Sequence, residues 1–216
     1  MTESYRSSQT RQTYHHGHLR EALVEEGLEM ARSGGAEAVV LREATRRAGV
    51  SPNAAYRHFT NREALLDEVG LAAADQIGRR MREAVAEAQP EDDEAEAAVA
   101  QLVAACRAYL DFALAEPGFF DVAYRISDAG LDMIETDRSK APNLPDSVIR
   151  DVLADPDIKL SERVDVRDLA ILLWSLLHGF ASLSTSGPLR GEKASERAEN
   201  VLNIIRASLR GAIARA

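Results

Sequence analysis

Gly49 separates two short helical stretches, and that arrangement constrains the fold more than any other feature of the chain. The segment VVLREATRRAGVSPNAAYRHF covers residues 39–59. Leu41 to Ala48 has apolar residues at helical spacing and stops at Gly49, a residue that tolerates the backbone shape of a tight turn. Ser51 is a good N-cap and Pro52 suits a first helical position, so a further short helix is expected over Pro52–His58. Two short helices meeting through such a turn make a helix-turn-helix. Leu41, Ala44, Ala48 and Val50 can pack the first helix on the second, and Ala55 and Phe59 can anchor the second to a core. Ser51, Asn53, Ala54, Tyr56, Arg57 and His58 are then left facing outward. Arg and Asn make bidentate contacts with bases, and Tyr, His and Ser reach phosphates. An ordinary helical corner with solvated charges gives the same pattern, so shape alone leaves both readings open.

Charge separates them further. The whole chain of 216 residues carries −9, which argues against nucleic acid. Residues 1–60 hold 8 Arg against 7 acidic residues, a net of +1, and four of the five His. Residues 61–216 hold 18 basic against 28 acidic residues, a net of −10. Only the first part can lie against phosphates without repulsion.

The composition is helical. Ala, Leu, Glu and Arg dominate and β-branched runs are few, so an all-α chain is expected. Residues 1–14 read as a flexible arm, with Arg6 and Arg11 as candidates for an adjacent minor groove. An amphipathic helix runs from about His18 to Arg32 and ends at Ser33-Gly34-Gly35. Thr60 or Asn61 caps a long helix over about 62–87. Gln89-Pro90-Glu91-Asp92-Asp93-Glu94 is a break whose acids suit the start of a helix that runs to about Ala115; one over Phe119–Ile134 and a loop at 139–147 follow. Short helices are expected near 146–154 and 161–165, an apolar helix over 166–184 and a last helix over 194–214. The organisation is an arm (1–14), a helix-turn-helix domain (15–61) and a helical bundle (62–216).

Cys106 is the only cysteine, which excludes an intrachain disulfide and fits a reducing cytosol. The opening MTESYRSSQTRQTYHHGH has no apolar core of a leader, so a cytoplasmic protein is expected. Leu169–Leu183 reads as a buried helix, shorter than the ~20 residues a bilayer needs. No membrane partner is expected. His15, His16 and His18 lack clustered Cys or carboxylate partners and read as solvated or phosphate-facing, so no metal or cofactor is expected.

LREATRRAGVSPNAAYRHFTNREALL resembles the signature of the TetR family of bacterial transcriptional regulators, and YHHGHLREALVEEGLEMAR resembles that family's first helix. Trp174 to Gly179 is similar to a Trp…His-Gly motif of one class of TetR ligand-binding domains. The resemblance implies that 41–48 supports and 52–58 recognises DNA. Tyr56 and His58 then stand at backbone contacts, and Arg62 where a Lys often meets phosphate. Val40 stands where a Thr or Ser often caps. Thr45 either faces DNA or bonds a carbonyl one turn back. The candidate DNA contacts are therefore Arg42, Thr45, Ser51, Asn53, Ala54, Tyr56, Arg57, His58 and Arg62.

The resemblance also raises a ligand pocket between the C-terminal helices. Its candidates are Tyr109, Phe112, Phe120, Tyr124, Trp174 and His178; Phe119 and Met133 are further aromatic or Met residues of the region. Core packing accounts for each of them singly, and for His178 a bond to a carbonyl or water inside the core. Val201, Ile204, Ile205, Leu209, Ala212 and Ile213 form a stripe. With the 166–184 helix it offers more apolar face than one subunit needs, which points to a C2 homodimer through a four-helix bundle. Two recognition helices then lie ~34–36 Å apart on a near-palindromic operator of double-stranded DNA. The function expected is a repressor released by a small-molecule effector. A helical enzyme and a DNA-independent adaptor are the alternatives; the sequence holds no phosphate loop or nucleophile arrangement for the former.

Overall fold

The computed structural model describes residues 18–89, 93–125, 144–155, 158–162 and 164–213. Expectations for the arm, His15, His16, Met133 and residues 126–143 lie outside them. The described residues form helices with no strand. One continuous apolar core runs from Leu19 to Ile213 and joins both halves of the chain.

Helix α1 (Leu19–Ala38) buries Leu19, Leu23, Leu28, Met30 and Ala31, as its spacing predicts. The expected break is real but brief. Gly34 and Gly35 leave the helical region, Gly35 at φ +65°, and one further turn runs to Ala38. Helix α2 (Leu41–Arg47) and helix α3 (Pro52–Tyr56) flank Gly49, whose φ is +67°. Ser51 Oγ accepts the Ala54 N–H at 3.3 Å, with Pro52 at the first helical position. Helix α3 is two residues shorter than expected. Helix α4 (Arg62–Ala86) is capped by Asn61, whose Oδ1 accepts the Ala64 N–H at 2.8 Å. Its buried residues form the spine against which α1 and the three helices that follow α4 pack.

Helix α5 (Glu94–Ala115) starts at Asp93, which accepts the N–H groups of Ala95 and Glu96. Helix α6 (Pro117–Ala123) begins earlier than expected, because Pro117 initiates it, and ends at Ala123 rather than at Ile134. Helix α7 covers Pro145–Leu153, helix α8 Val166–Thr185 and helix α9 Ala194–Ala212. The expected helix at 161–165 does not form. Asp165 is the N-cap of α8, accepting the N–H groups of Arg167 and Asp168, and a cap residue needs an extended backbone. The chain before it instead bridges Leu160 to Ile213, which also ends α9.

Two further expectations need correction. The apolar helix has 20 residues, so α8, like α5, is long and apolar enough by composition alone to cross a bilayer. Nor is it buried on every side. Leu169, Leu173, Leu177 and Ala181 face the core, while Ile171, Leu172, Leu176 and Leu183 are exposed.

The two halves meet where α6 crosses α1. The Ala36 N–H, freed by the glycine break, donates to Asp121 Oδ2 at 3.1 Å. Arg32 donates to Glu116 at 2.7 Å and lies 5.0 Å from the Phe119 ring centre. Gly118 permits this contact: a Cβ there would stand 2.5 Å from the Ala31 carbonyl oxygen and 2.9 Å from the Gly35 nitrogen. Both are backbone atoms and cannot swing aside. Gly118→Ala is therefore expected to destabilise the fold by about 1–3 kcal/mol, in the range of overpacked core sites. Denaturant unfolding measures it; a variant as stable as the parent contradicts the close approach.

Candidate nucleic-acid interface and ligand pocket

The helix-turn-helix is built from behind. Ala55 and Phe59 are fully buried, and Ala44 and Leu41 receive them from α2. Arg20 of α1 lies 5.0 Å from the Phe59 ring centre and donates to the His58 carbonyl at 3.3 Å. It also forms a two-point pair with Glu68 of α4, at 2.9 and 2.5 Å. Arg20 thus ties together the first, third and fourth helices. A half-exposed pair contributes ~0–1 kcal/mol, whereas burying an aromatic ring such as Phe59 contributes ~1.5–3 kcal/mol. The ring supplies the hold and Arg20 the orientation.

The candidate DNA contacts divide on this scaffold. Arg42, Ser51, Asn53, Tyr56 and Arg57 are exposed, Tyr56 to 57%. Ala54 and His58 are half-buried. Thr45 is a correction: it is buried and its hydroxyl donates to the Leu41 carbonyl at 2.6 Å, the inward of the two readings. Arg62 is another. Its guanidinium donates to the Val39 carbonyl at 2.7 Å and the Ala36 carbonyl at 2.6 Å, so it fastens α4 to the link between α1 and α2. Nearby, Arg46 and Arg47 both pair with Glu43, whose carboxyl they hold down at about 2. His18 pairs with Glu21 at 2.9 Å.

The C-terminal candidates also divide. Tyr109, Phe120, Tyr124, Trp174 and His178 form one aromatic cluster. Tyr124 lies edge-on to His178 at 4.4 Å between ring centres, and Trp174 stacks on His178 at 5.3 Å. Phe120 meets Tyr109 at 5.8 Å and Tyr124 at 5.1 Å. Tyr109 Oη lies 3.1 Å from His178 Nδ1, and Ser182 Oγ 3.4 Å from its Nε2. His178 therefore has side-chain partners rather than the carbonyl or water of the core reading. Burial raises the phenol pKa of both Tyr109 and Tyr124 and depresses that of His178.

Beside this cluster lies a cavity of about 350 Å³. Ala74 of α4, Ala123 and Tyr124 at the end of α6, Leu144 to Asp146 and Arg150 at α7, and Arg167, Ala170, Ile171 and Trp174 of α8 line it. Only Tyr124 and Trp174 of the sequence candidates reach it; Tyr109, Phe120 and His178 stand behind them. Phe112 belongs elsewhere. It packs on Phe119 at 5.4 Å, lies under Arg80 and borders a separate hollow between α4 and α5. Gly179 does not serve close helix approach among the described residues, since a Cβ there would meet none of them.

Residues 23–69 match the model of the bacterial regulatory proteins of the tetR family. Residues 102–205 match the model of the tetracyclin repressor-like C-terminal domain. The chain belongs to the tetR family. It is accordingly a transcriptional regulator and not an enzyme. Among solved structures, the tetR-family chain is similar to a protein with unknown function from Rhodococcus sp. RHA1, at 27% identity and a TM-score of 0.66, over 92% of this chain and 98% of that one. It shares its fold with a TetR-family transcriptional regulator from Pectobacterium atrosepticum, at 19% identity and a TM-score of 0.63, over 95% and 98% of the two chains. It also shares it with the regulator FadR from Bacillus subtilis in complex with stearoyl-CoA, at 15% identity and a TM-score of 0.61, over 87% and 97%. No curated protein matches the sequence.

His178 gives this region a pH signature. The folded state disfavours its protonation, while in the unfolded chain it titrates near its ordinary value of ~6.5. Its contribution is complete above that value and is lost as pH falls toward the lower folded value. Thermal unfolding from neutral pH down to mildly acidic pH is expected to show a steeper loss for the parent than for His178→Gln. Parallel curves contradict a depressed His178.

Proposed function

We propose that this tetR-family regulator is a repressor that binds a near-palindromic operator as a homodimer and leaves it when a small molecule fills the cavity. The observation that carries the DNA part is the exposure of Ser51, Asn53, Tyr56 and Arg57 along a helix whose opposite side is locked in the core. Asn53 and Arg57 are the base-reading candidates, with Arg42, Ser51, Tyr56 and His58 on the backbone and Ala54 small enough to allow approach.

Dimerisation is assigned to α8 and α9. Leu172, Leu176 and Leu183 are exposed along one side of α8 with Gly179 between them; of the stripe expected on the last helix only Ile204 is exposed, to 62%, while Ile205, Leu209 and Ile213 are buried in the subunit's own core. Such a contiguous apolar stripe marks a protein interface. An open glycine in its middle suits the close approach of a second α8. The same pairing accounts for the apolar outer side of α8 without a membrane, in keeping with a cytoplasmic protein.

Release would run through two connections. The cavity touches α4 at Ala74 and the end of α6 at Ala123 and Tyr124. Helix α4 reaches the DNA-binding head through Arg62, and α6 through Asp121 on Ala36. An occupant that fits one setting of these helices better than the other shifts the spacing of the two recognition helices.

Salt-titrated binding to the DNA upstream of the gene tests this reading. Asn53→Ala with Arg57→Ala is expected to lose about 1–3 kcal/mol per base contact while folding normally. Leu172→Asp with Leu176→Asp is expected to yield monomers by sedimentation and to abolish tight binding. Unchanged binding by the first pair removes Asn53 and Arg57 as base readers, a parent that binds upstream DNA no better than random DNA favours the adaptor reading, and a dimer that survives the second pair removes the α8 interface.

A further inference from the structure

We infer that the cavity accepts a small amphiphile with an apolar body and one carboxylate end, the carboxylate seated on Arg167. The inference rests on the effector-pocket reading above and adds the chemical class of the effector. Its walls are Ala74, Ala123, Leu144, Ala170, Ile171 and the Trp174 ring, which offer apolar surface and little hydrogen bonding. Its volume of about 350 Å³ suits a small organic molecule.

Charge is concentrated at one side. Among the described residues, Arg150, Asp146 and Arg167 are the ionised groups lining the cavity. Arg150 donates to Asp146 Oδ2 at 2.8 Å, so these two charges offset one another. Arg167 is exposed and has no ion-pair partner among the described residues. The described lining therefore carries one uncompensated positive charge, although residues 61–216 together carry −10. The location is against the local trend, which favours an anion at this point over a cation or a neutral polar group. A guanidinium fork matches the two oxygens of a carboxylate. Moving the apolar body out of water supplies the remaining affinity.

Trp174 lines the cavity and is the only tryptophan of the chain, so its fluorescence reports occupancy of this site. The test titrates the full chain with octanoate, octanol and octylamine, which share an apolar body and differ in the head. Octanoate is expected to change Trp174 emission saturably and to bind most tightly of the three. Arg167→Gln is expected to weaken octanoate about tenfold or more, as loss of a charge-assisted hydrogen bond does, and to leave octanol unaffected. Octanol binding also shows that the variant keeps its cavity. Equal or tighter binding of octanol or octylamine overturns the inference, as does an Arg167→Gln variant that binds octanoate like the parent. Binding to upstream DNA, measured without any octyl compound, separates the two readings. A chain that binds DNA and releases it with octanol or octylamine keeps the effector pocket and loses the carboxylate; one that binds no specific DNA loses the regulator reading itself.

Discussion

A helix of five residues cannot hold its shape in water, because nucleating a helical turn costs more than so few hydrogen bonds return. Helix α3 is such a helix, and everything in the first half of the chain supports it. Ser51 and Pro52 set its start, Gly49 turns the chain into it, and Ala55 and Phe59 fasten its inner side. Arg20 then joins its end to α1 and α4. The outer side is thereby free to carry residues with no structural duty. Asn53, Tyr56 and Arg57 are exposed because the work of folding is done by their neighbours, and a rigid, exposed helix is what base reading requires.

The same division of labour shapes the join between head and bundle. Polar contacts there are few and lie partly in water, so each contributes little alone. Their effect is positional. The glycine break frees the Ala36 N–H, and Asp121 takes it; Gly118 lets α6 approach the backbone of α1. Arg62 satisfies two carbonyls at the same bend from the α4 side. Two helices from the bundle thus converge on one short stretch, residues 36–39, immediately before α2. In the proposed release, a change of angle in either helix would act where the head has least freedom to absorb it. This is a physical basis for coupling a C-terminal cavity to an N-terminal surface some distance away.

What could be read in the sequence was whatever depends on near neighbours. The turn at Gly49, the Ser51-Pro52 start, the core positions Leu41, Ala44, Ala55 and Phe59 and the exposure of Asn53, Tyr56 and Arg57 all follow from spacing within a few residues. Long side chains were harder. Arg62 resembles a phosphate ligand by position, yet the carbonyls it satisfies lie 23 and 26 residues away in sequence. Arg20 meets Glu68 across 48 residues and carried no local signal. Thr45 was ambiguous because a helical threonine can turn to its own backbone. Phe112 sits three residues from Tyr109, but α5 is enclosed on more than one side, so nearby aromatics serve different neighbours. In α8, period alone could not tell a helix buried all round from one whose outer side is exposed.

Selection of bound duplexes from a random DNA pool tests the central claim most directly, since every possible operator competes in it at once. The account predicts enrichment of a near-palindrome whose half-sites lie about 10–10.5 base pairs apart, or a multiple of that, centre to centre. A pool that stays random after selection, with binding that depends on salt but not on sequence, would contradict it.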